Sequence, residues 1–514
     1  MWLVEDCPVL SSICNAIPYY MCFLLSFLIF LSPIDPTRAA QDFTAYRLAQ
    51  YDIQGSIIGS RTAPLSCDIQ VASSRTYARR CPIVKLAEIT VEGIKNAIFN
   101  NAGGIIVLLP SDNWTDELRS VYSYCSHADF MKHWHYLETE LKSEEFQVPV
   151  YFAIENEYSK NIYDNLQKMS RDLDQSAGSG IFEAIFSTGY RVYINSRPAA
   201  PLKNVELVNI EGKIISNSFD TKKPTVLLTA YYDAGGIIPA LAYGADANAG
   251  GVAVLLEVAR IIGQLTDAKN SPKYNIIFLL TSGGKFNFLG ARRWLEMNLE
   301  DTAGLAILDS VAQVICLEGL GENFDDRLRL HVSRVPRDGS FSQKLVSTLE
   351  LAAKLHPLSD SHMKRPLDNE TQIEVVHKKI NLNQYDLAWE HERFSLYRLP
   401  TATFSSWPTP STYKYRQSVL DGGPLSGRAA PSRGYWGPVQ PEILARNTRV
   451  LAEALVKLLH HPLSRPAAAS TAGARTGSDS ADKVGTDAGE DRFHLVVRLV
   501  AHLTNNSSKK LKAY

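Results

Sequence analysis

The sequence predicts an α/β protein built on a mixed, largely parallel sheet flanked by helices, and two recurring patterns carry that expectation. Short apolar runs lack polar alternation, as strands covered on both faces require. Stretches with helical spacing separate them, which implies crossover connections. The clearest unit begins at Thr225-Val226-Leu227-Leu228-Thr229-Ala230, followed by Val252, Leu255, Leu256, Ala259 and Ile262 on one helical face. Ile276 to Leu280 is the next predicted strand, Leu289 to Leu299 the next helix, and Val314-Ile315-Cys316-Leu317 a further strand. Pro441 suits a first helical turn and opens a closing helix with Leu444, Leu451, Leu455 and Leu458 on its apolar face. A smaller N-terminal α/β region precedes this unit, with strands at Gly104–Leu109 and Val148–Phe152 and a helix from Asn156 to Leu173.

Four segments are expected: 1–40, 42–200, 201–462 and 463–514. The first is almost wholly apolar from Ala16 to Leu31 and is followed by Ala39-Ala40, the pattern of a signal peptide or a signal anchor. The last is rich in Ala, Ser, Thr, Gly and Asp from Arg465 to Glu490 and cannot bury enough surface to order itself. A net charge of −1 excludes recognition of nucleic acid by bulk electrostatics. Of the seven cysteines, Cys67, Cys81, Cys125 and Cys316 fall in the folded part, and an oxidising lumen permits pairing among them without specifying which. Sequons at Asn113 and Asn369, and overlapping ones at Asn505 and Asn506, fit a lumenal chain.

Chemistry in an open α/β sheet gathers at the carboxyl ends of its strands. Three such places stand out: Tyr231-Tyr232-Asp233, the loop Gly244-Ala245-Asp246-Ala247-Asn248-Ala249-Gly250-Gly251, and Ser282-Gly283-Gly284-Lys285-Phe286. Their frame resembles the di-zinc aminopeptidases, in which a strand ends in H-x-D, a G-A-x-D-N-x-S-G loop opens a helix, and another strand ends in paired glutamates. In that family the histidine and the loop aspartate bind zinc, one glutamate is the general base, and a later carboxylate and histidine complete the site. On this resemblance Tyr231 stands at the histidine, Ala247 at the bridging aspartate, and Gly283 and Gly284 at the two glutamates. Asp233 keeps a supporting role and Glu318 is the one candidate ligand left, since no histidine occurs between Thr401 and Gln440. The pattern predicts no catalytic residue, no metal and no cofactor, because two zinc ions need the full set to activate a bridging water. A slipped register, with Asp246 joining Asp233 and Glu318, would instead suit a hard cation.

Longer strings narrow the likeness. Gly244-Ala245-Asp246-Ala247-Asn248, Ser282 to Asn287, Arg293-Trp294-Leu295-Glu296, Val376 to Leu382, Ala388 to Phe394, Arg446-Asn447-Thr448-Arg449 and Tyr46 to Asp52 resemble the nicalin family, inactive aminopeptidase-like proteins related to nicastrin. Trp294 and Trp389 read as core anchors within them, and His391, in Glu390-His391-Glu392, as a structural hydrogen-bonding group. That resemblance implies a non-catalytic scaffold in the endoplasmic reticulum membrane, the bulk of the chain lumenal. It implies partnership with Nomo and a small multi-pass membrane protein, in a complex beside the translocon that assists insertion of multi-pass proteins, and a link to Nodal signalling. A zinc aminopeptidase and a soluble lumenal peptide-binding module are the competing expectations. The family carries a transmembrane helix near its C-terminus, whereas this sequence diverges after about residue 460. Its anchoring is therefore expected from the N-terminal segment or from partners, unless an alternative C-terminus supplies it.

Overall fold

The computed structural model describes residues 42–460 except 52–55, 73–76, 110–126, 175–189, 199, 202–205, 217–222, 267–270, 359–371, 384–385, 410–415, 423–428, 431–433 and 436–438. The segments 1–40 and 463–514 and the sequons at Asn113 and Asn369 lie outside the described residues. The described residues from Ala45 to His460 belong to one compact unit around two large sheets, accompanied by two small ones.

The first sheet contains β1 (Ala45–Arg47), β2 (Leu65–Val71), β3 (Cys81–Lys85), β4 (Ile105–Leu109), β5 (Val150–Ile154) and β6 (Arg191–Ile194), in the spatial order β1-β5-β4-β3-β2-β6. Its four central strands run parallel and both edges are antiparallel. Val107 and Phe152 point to a core built with α1 (Val91–Phe99) and α2 (His127–Leu141), while Ile106 and Tyr151 face α3 (Glu157–Asp174). Thr90 caps α1 by accepting from the Gly93 N–H at 3.0 Å, which satisfies one of the free donors of the first turn. A disulfide joins Cys67 of β2 to Cys81 of β3, resolving the pairing that the sequence left open. Cys316 is buried and free.

The second sheet holds β7 (Ile210–Ile214), β8 (Thr225–Tyr231), β9 (Asn275–Thr281), β10 (Val311–Leu317), β11 (Leu328–Val332), β12 (Ile373–His377) and β13 (Thr401–Ser405). The spatial order is β7-β9-β8-β10-β13-β11-β12. Pairs β8–β9, β8–β10, β10–β13 and β11–β12 are parallel, and β7–β9 and β11–β13 antiparallel, so the sheet is mixed and largely parallel. The apolar run of β8 divides between two cores. Val226, Leu228 and Ala230 pack toward α4 (Gly251–Leu265), α7 (Phe341–Leu355) and α9 (Pro441–Leu459). Leu227 and Tyr231 pack toward α5 (Leu289–Glu300), α6 (Thr302–Ser310) and α8 (Glu390–Leu396). Each face must therefore be apolar, which is why the strand shows no alternation.

One core also joins the two sheets. Ile237, Ile238, Leu241, Val419 and Leu420, from connections of the second sheet, pack with Trp134, Leu137 and Phe152 of the first. No helix among the described residues is long and apolar enough to cross a membrane.

Candidate functional site: a closed peptidase-like centre

The parallel strands β8, β9, β10 and β13 end together and deliver Tyr231, Ser282, Glu318 and Ser406 to one place. Asp233 follows β8, and a six-residue π-helical turn, Ala245–Gly250, carries Asp246 and Ala247 into α4. The fold thus assembles the positions that the sequence singled out.

Tyr231 Oη donates to Glu318 Oε1 at 2.7 Å, and both side chains are buried. Arg416 completes the contact from the far side. Its Nε donates to the same oxygen at 2.6 Å, a terminal nitrogen pairs with it as well, and Nη1 donates to the Ala388 carbonyl at 2.9 Å. The rings of Phe288, Trp389 and Trp407 surround the guanidinium at 5.6, 5.5 and 5.9 Å from their centroids, within cation–π range. Burial raises the Glu318 carboxyl, and Arg416 and the Tyr231 hydroxyl oppose that shift.

Tyr231 and Gly284 are sterically coupled. A β-carbon on Gly284 would lie 2.2 Å from the Tyr231 ring, so the ring is accommodated by the missing side chain opposite it. Gly283 adopts φ +66°, left-handed backbone that a side chain strains. The Gly284 N–H donates to Asp233 Oδ1 at 2.8 Å. Burial raises the Asp233 carboxyl, and that N–H and Lys285 partly offset the rise.

Ala247 is fully buried against Trp389 and Trp407. Its N–H and that of Asp246 donate to the two oxygens of Asp421, at 2.9 and 2.8 Å. Asp246 in turn accepts from the Gly321 N–H at 2.5 Å and from Trp407 Nε1 at 2.9 Å. Those donors occupy one acceptor position on each of its oxygens. Among the described residues no group of three or more His, Cys, Asp or Glu could hold a metal ion.

Burial shifts other carboxylates here toward their neutral form. Burial lifts Glu390 to about 8, its Oε1 accepting from Thr281 Oγ1 at 2.6 Å. Burial, then Asp246 nearby, lifts Asp421 to about 8, and burial lifts Asp246 to about 6. His391 is buried between Thr403 Oγ1 at 2.7 Å and Ser333 Oγ at 3.1 Å, and burial depresses it to about 3. Trp389 and Trp294 lie in the core.

A di-zinc centre needs imidazoles and carboxylates turned to a common space. In this chain a phenol and a guanidinium converge on Glu318, and the residues do not fit such a centre. Sequence reasoning missed Arg416 and Asp421. Arg416 is one of several basic residues between 401 and 440, and nothing in the pattern marks it for burial.

The architecture is that of the zinc-aminopeptidase class. Residues 209–370 match the model of peptidase family M28. The crystal structure of the gamma-secretase component nicastrin matches with a TM-score of 0.51 at 13% identity, over 80% of this chain and 74% of that one. At the level of sequence, the BOS complex subunit ncln of Danio rerio is 35% identical over 449 residues, 85% of this chain and 73% of that protein. The BOS complex subunit NCLN of Homo sapiens is 33% identical over 451 residues, with 86% and 73% covered. Nicalin of Caenorhabditis elegans is 27% identical over 476 residues, with 90% and 76% covered. The chain belongs to the nicalin family, whose vertebrate members carry the name BOS complex subunit NCLN.

Proposed function

We propose that the chain is a non-catalytic scaffold subunit of a BOS-type complex in the endoplasmic reticulum membrane, its folded part in the lumen. The observation that carries the non-catalytic part is the buried contact of Tyr231 and Arg416 with Glu318, which fills the centre where metal ligands and a general base would act. The relatives' names support membership of the complex. The Cys67–Cys81 bridge supports an oxidising compartment. In this reading Nomo and a small multi-pass membrane protein are the partners, and the assembly works beside the translocon during insertion of multi-pass proteins. The link to Nodal signalling would act through the same assembly.

Microsomes extracted in mild detergent provide the test. Nomo should co-purify with the tagged chain, and its repeated absence would remove the scaffold reading. Purified chain that holds stoichiometric zinc and cleaves an aminoacyl reporter would overturn the non-catalytic reading. Release of the chain by carbonate would point to a soluble lumenal module in place of a membrane subunit.

A further inference from the structure

The string Arg446-Asn447-Thr448-Arg449 lies on the second turn of α9 and just beyond it. Asn447 and Thr448 serve the fold: Asn447 Nδ2 donates to the Leu320 carbonyl at 2.8 Å and Thr448 Oγ1 to the Leu444 carbonyl at 2.7 Å. The two arginines, three residues apart and so on one helical face, line a cavity of about 310 Å³ between α9 and the end of α7. That volume is at the lower end of the range for small-molecule sites.

Arg446 is 7% exposed, and its three nitrogens donate only to uncharged oxygens. Nε reaches the His356 carbonyl at 2.9 Å, Nη1 the Asn447 side chain at 3.0 Å and Nη2 the Gln372 side chain at 2.5 Å. A guanidinium has five N–H donors in a rigid fork, so each terminal nitrogen retains one. Its position at the end of α7 places it beside the negative pole of that helix, which offsets part of its charge. Among the described residues no carboxylate pairs with it to offset the rest. Burial alone lowers Arg446 to about 10. A buried cation without a counter-ion is costly, and pairing with an anion relieves the cost. Arg449, exposed, stands at the same cavity, as does His356, whose Nε2 lies 2.6 Å from Glu453 Oε2. Among the described residues Glu442 is the one acid of the lining, and Leu355, Pro357, Leu358 and Ile443 supply an apolar wall.

We infer that this cavity binds a phosphate monoester, with Arg446 gripping the phosphate through its two remaining donors and Arg449 closing over it. Two guanidinium groups match the charge of a phosphate dianion, and the fork suits its paired oxygens. The apolar wall takes the organic group. A soluble phosphorylated metabolite and the headgroup of a phosphatidic acid present the same chemistry.

The test is titration of the full chain with glycerol 3-phosphate, inorganic phosphate, and phosphatidylcholine vesicles with and without phosphatidic acid. Saturable binding of glycerol 3-phosphate alone assigns a soluble ligand, and selective binding of the phosphatidic acid vesicles assigns a lipid headgroup. Arg446→Gln should weaken binding by about tenfold or more, the loss of a charge-assisted bidentate contact. Arg449→Gln and Glu442→Gln sit at exposed positions and keep the test independent of folding. The first should weaken binding roughly threefold and the second strengthen it by a similar factor, as expected of partly exposed charges. Absence of saturable binding by every probe, or affinities that none of the three substitutions moves, would overturn the inference.

Discussion

Replacing Arg416 by methionine isolates the interaction that closes the centre. The substitution keeps an apolar stem among Phe288, Trp389 and Trp407 and removes the cation paired with Glu318. Glu318 is 1% exposed, so water cannot compensate it. Two magnitudes bound the loss. Breaking a buried ion pair by removing one partner costs about 3–5 kcal/mol. The stranded carboxylate can always take up a proton, and at pH 7 that costs about 3.4 kcal/mol for a glutamate of ordinary pKa near 4.5. Protonation is thus the ceiling for the carboxylate's share, and a destabilisation of about 3 kcal/mol at pH 7 is expected.

The ceiling also fixes a pH signature. Taking up the proton becomes easier by about 1.4 kcal/mol for each unit of acidification, so the penalty should shrink to about 1 kcal/mol near pH 5. Urea denaturation of the parent chain, Arg416→Met, Glu318→Gln and the double variant at both pH values provides the measurement. The double variant should recover most of the loss, because it removes the charge with its partner. A loss below about 1 kcal/mol at pH 7 would refute the argument, as would one that does not shrink on acidification.

The remaining expectations concern the same residues and the first sheet. Gly284→Glu should destabilise the chain by at least about 1–3 kcal/mol through overpacking against Tyr231, and Tyr231→Ala in the same chain should relieve much of it; equal thermal midpoints for the single and double variants would count against the coupling. Glu390, Asp421 and Glu138 have folded-state pKa values raised by burial to about 8, 8 and 7. Their contribution to stability is complete below their ordinary carboxylate pKa and is lost as pH rises through the raised values, so the melting temperature should fall from pH 6.5 to pH 8. His331 and His391, depressed to about 4 and 3, act only below their ordinary pKa of 6.5 and leave that window clean. Glu390→Gln should flatten the slope, and a parent chain with a pH-independent melting temperature there would contradict the assignment. Replacing Cys67 and Cys81 together by alanine should cost about 3 kcal/mol, because their bridge closes a loop of 14 residues in the unfolded chain; an unchanged urea midpoint would show that the bridge adds nothing.

What could be read from the residues was what local pattern encodes. The strands Thr225–Tyr231 and Asn275–Thr281 announced themselves as unbroken apolar runs because both their faces are covered, and Pro441 opens its helix where the sequence placed it. The candidate positions Tyr231, Ala247, Gly283, Gly284 and Glu318 stand beside strand ends or in a glycine-rich loop, where local pattern marks them. Arg416 was not so marked, since its burial depends on Glu318, 98 residues earlier, and on three aromatic rings from separate segments. Asp421 was hidden for the same reason: it satisfies two N–H groups some 175 residues away, and no periodicity records that. Glu390 was passed over in favour of its neighbour His391, although it is the glutamate whose shift Glu318 and Asp233 both reinforce.

The charge balance of the centre explains why its substitutions belong together. Buried Asp233, Asp246, Glu318 and Glu390 would make the centre strongly anionic if all four were ionised and nothing compensated them. Two dications meet that need in a zinc peptidase; here the compensation is dispersed. Glu318 takes the guanidinium of Arg416, Asp233 takes a backbone N–H and the charge of Lys285, and Asp246 takes an N–H and an indole. Glu390, lifted to about 8, is neutral at pH 7. Restoring a histidine at Tyr231 alone would therefore supply one ligand to a space still spanned by Arg416 and lacking Ala247 and Gly284 as carboxylates. The Tyr231→His variant should bind no zinc at stoichiometry. Arg416→Met added to it should not bind zinc either, because the second and third ligands are absent. Stoichiometric zinc in either variant would show that the centre is held shut by single contacts and not by its altered charge balance.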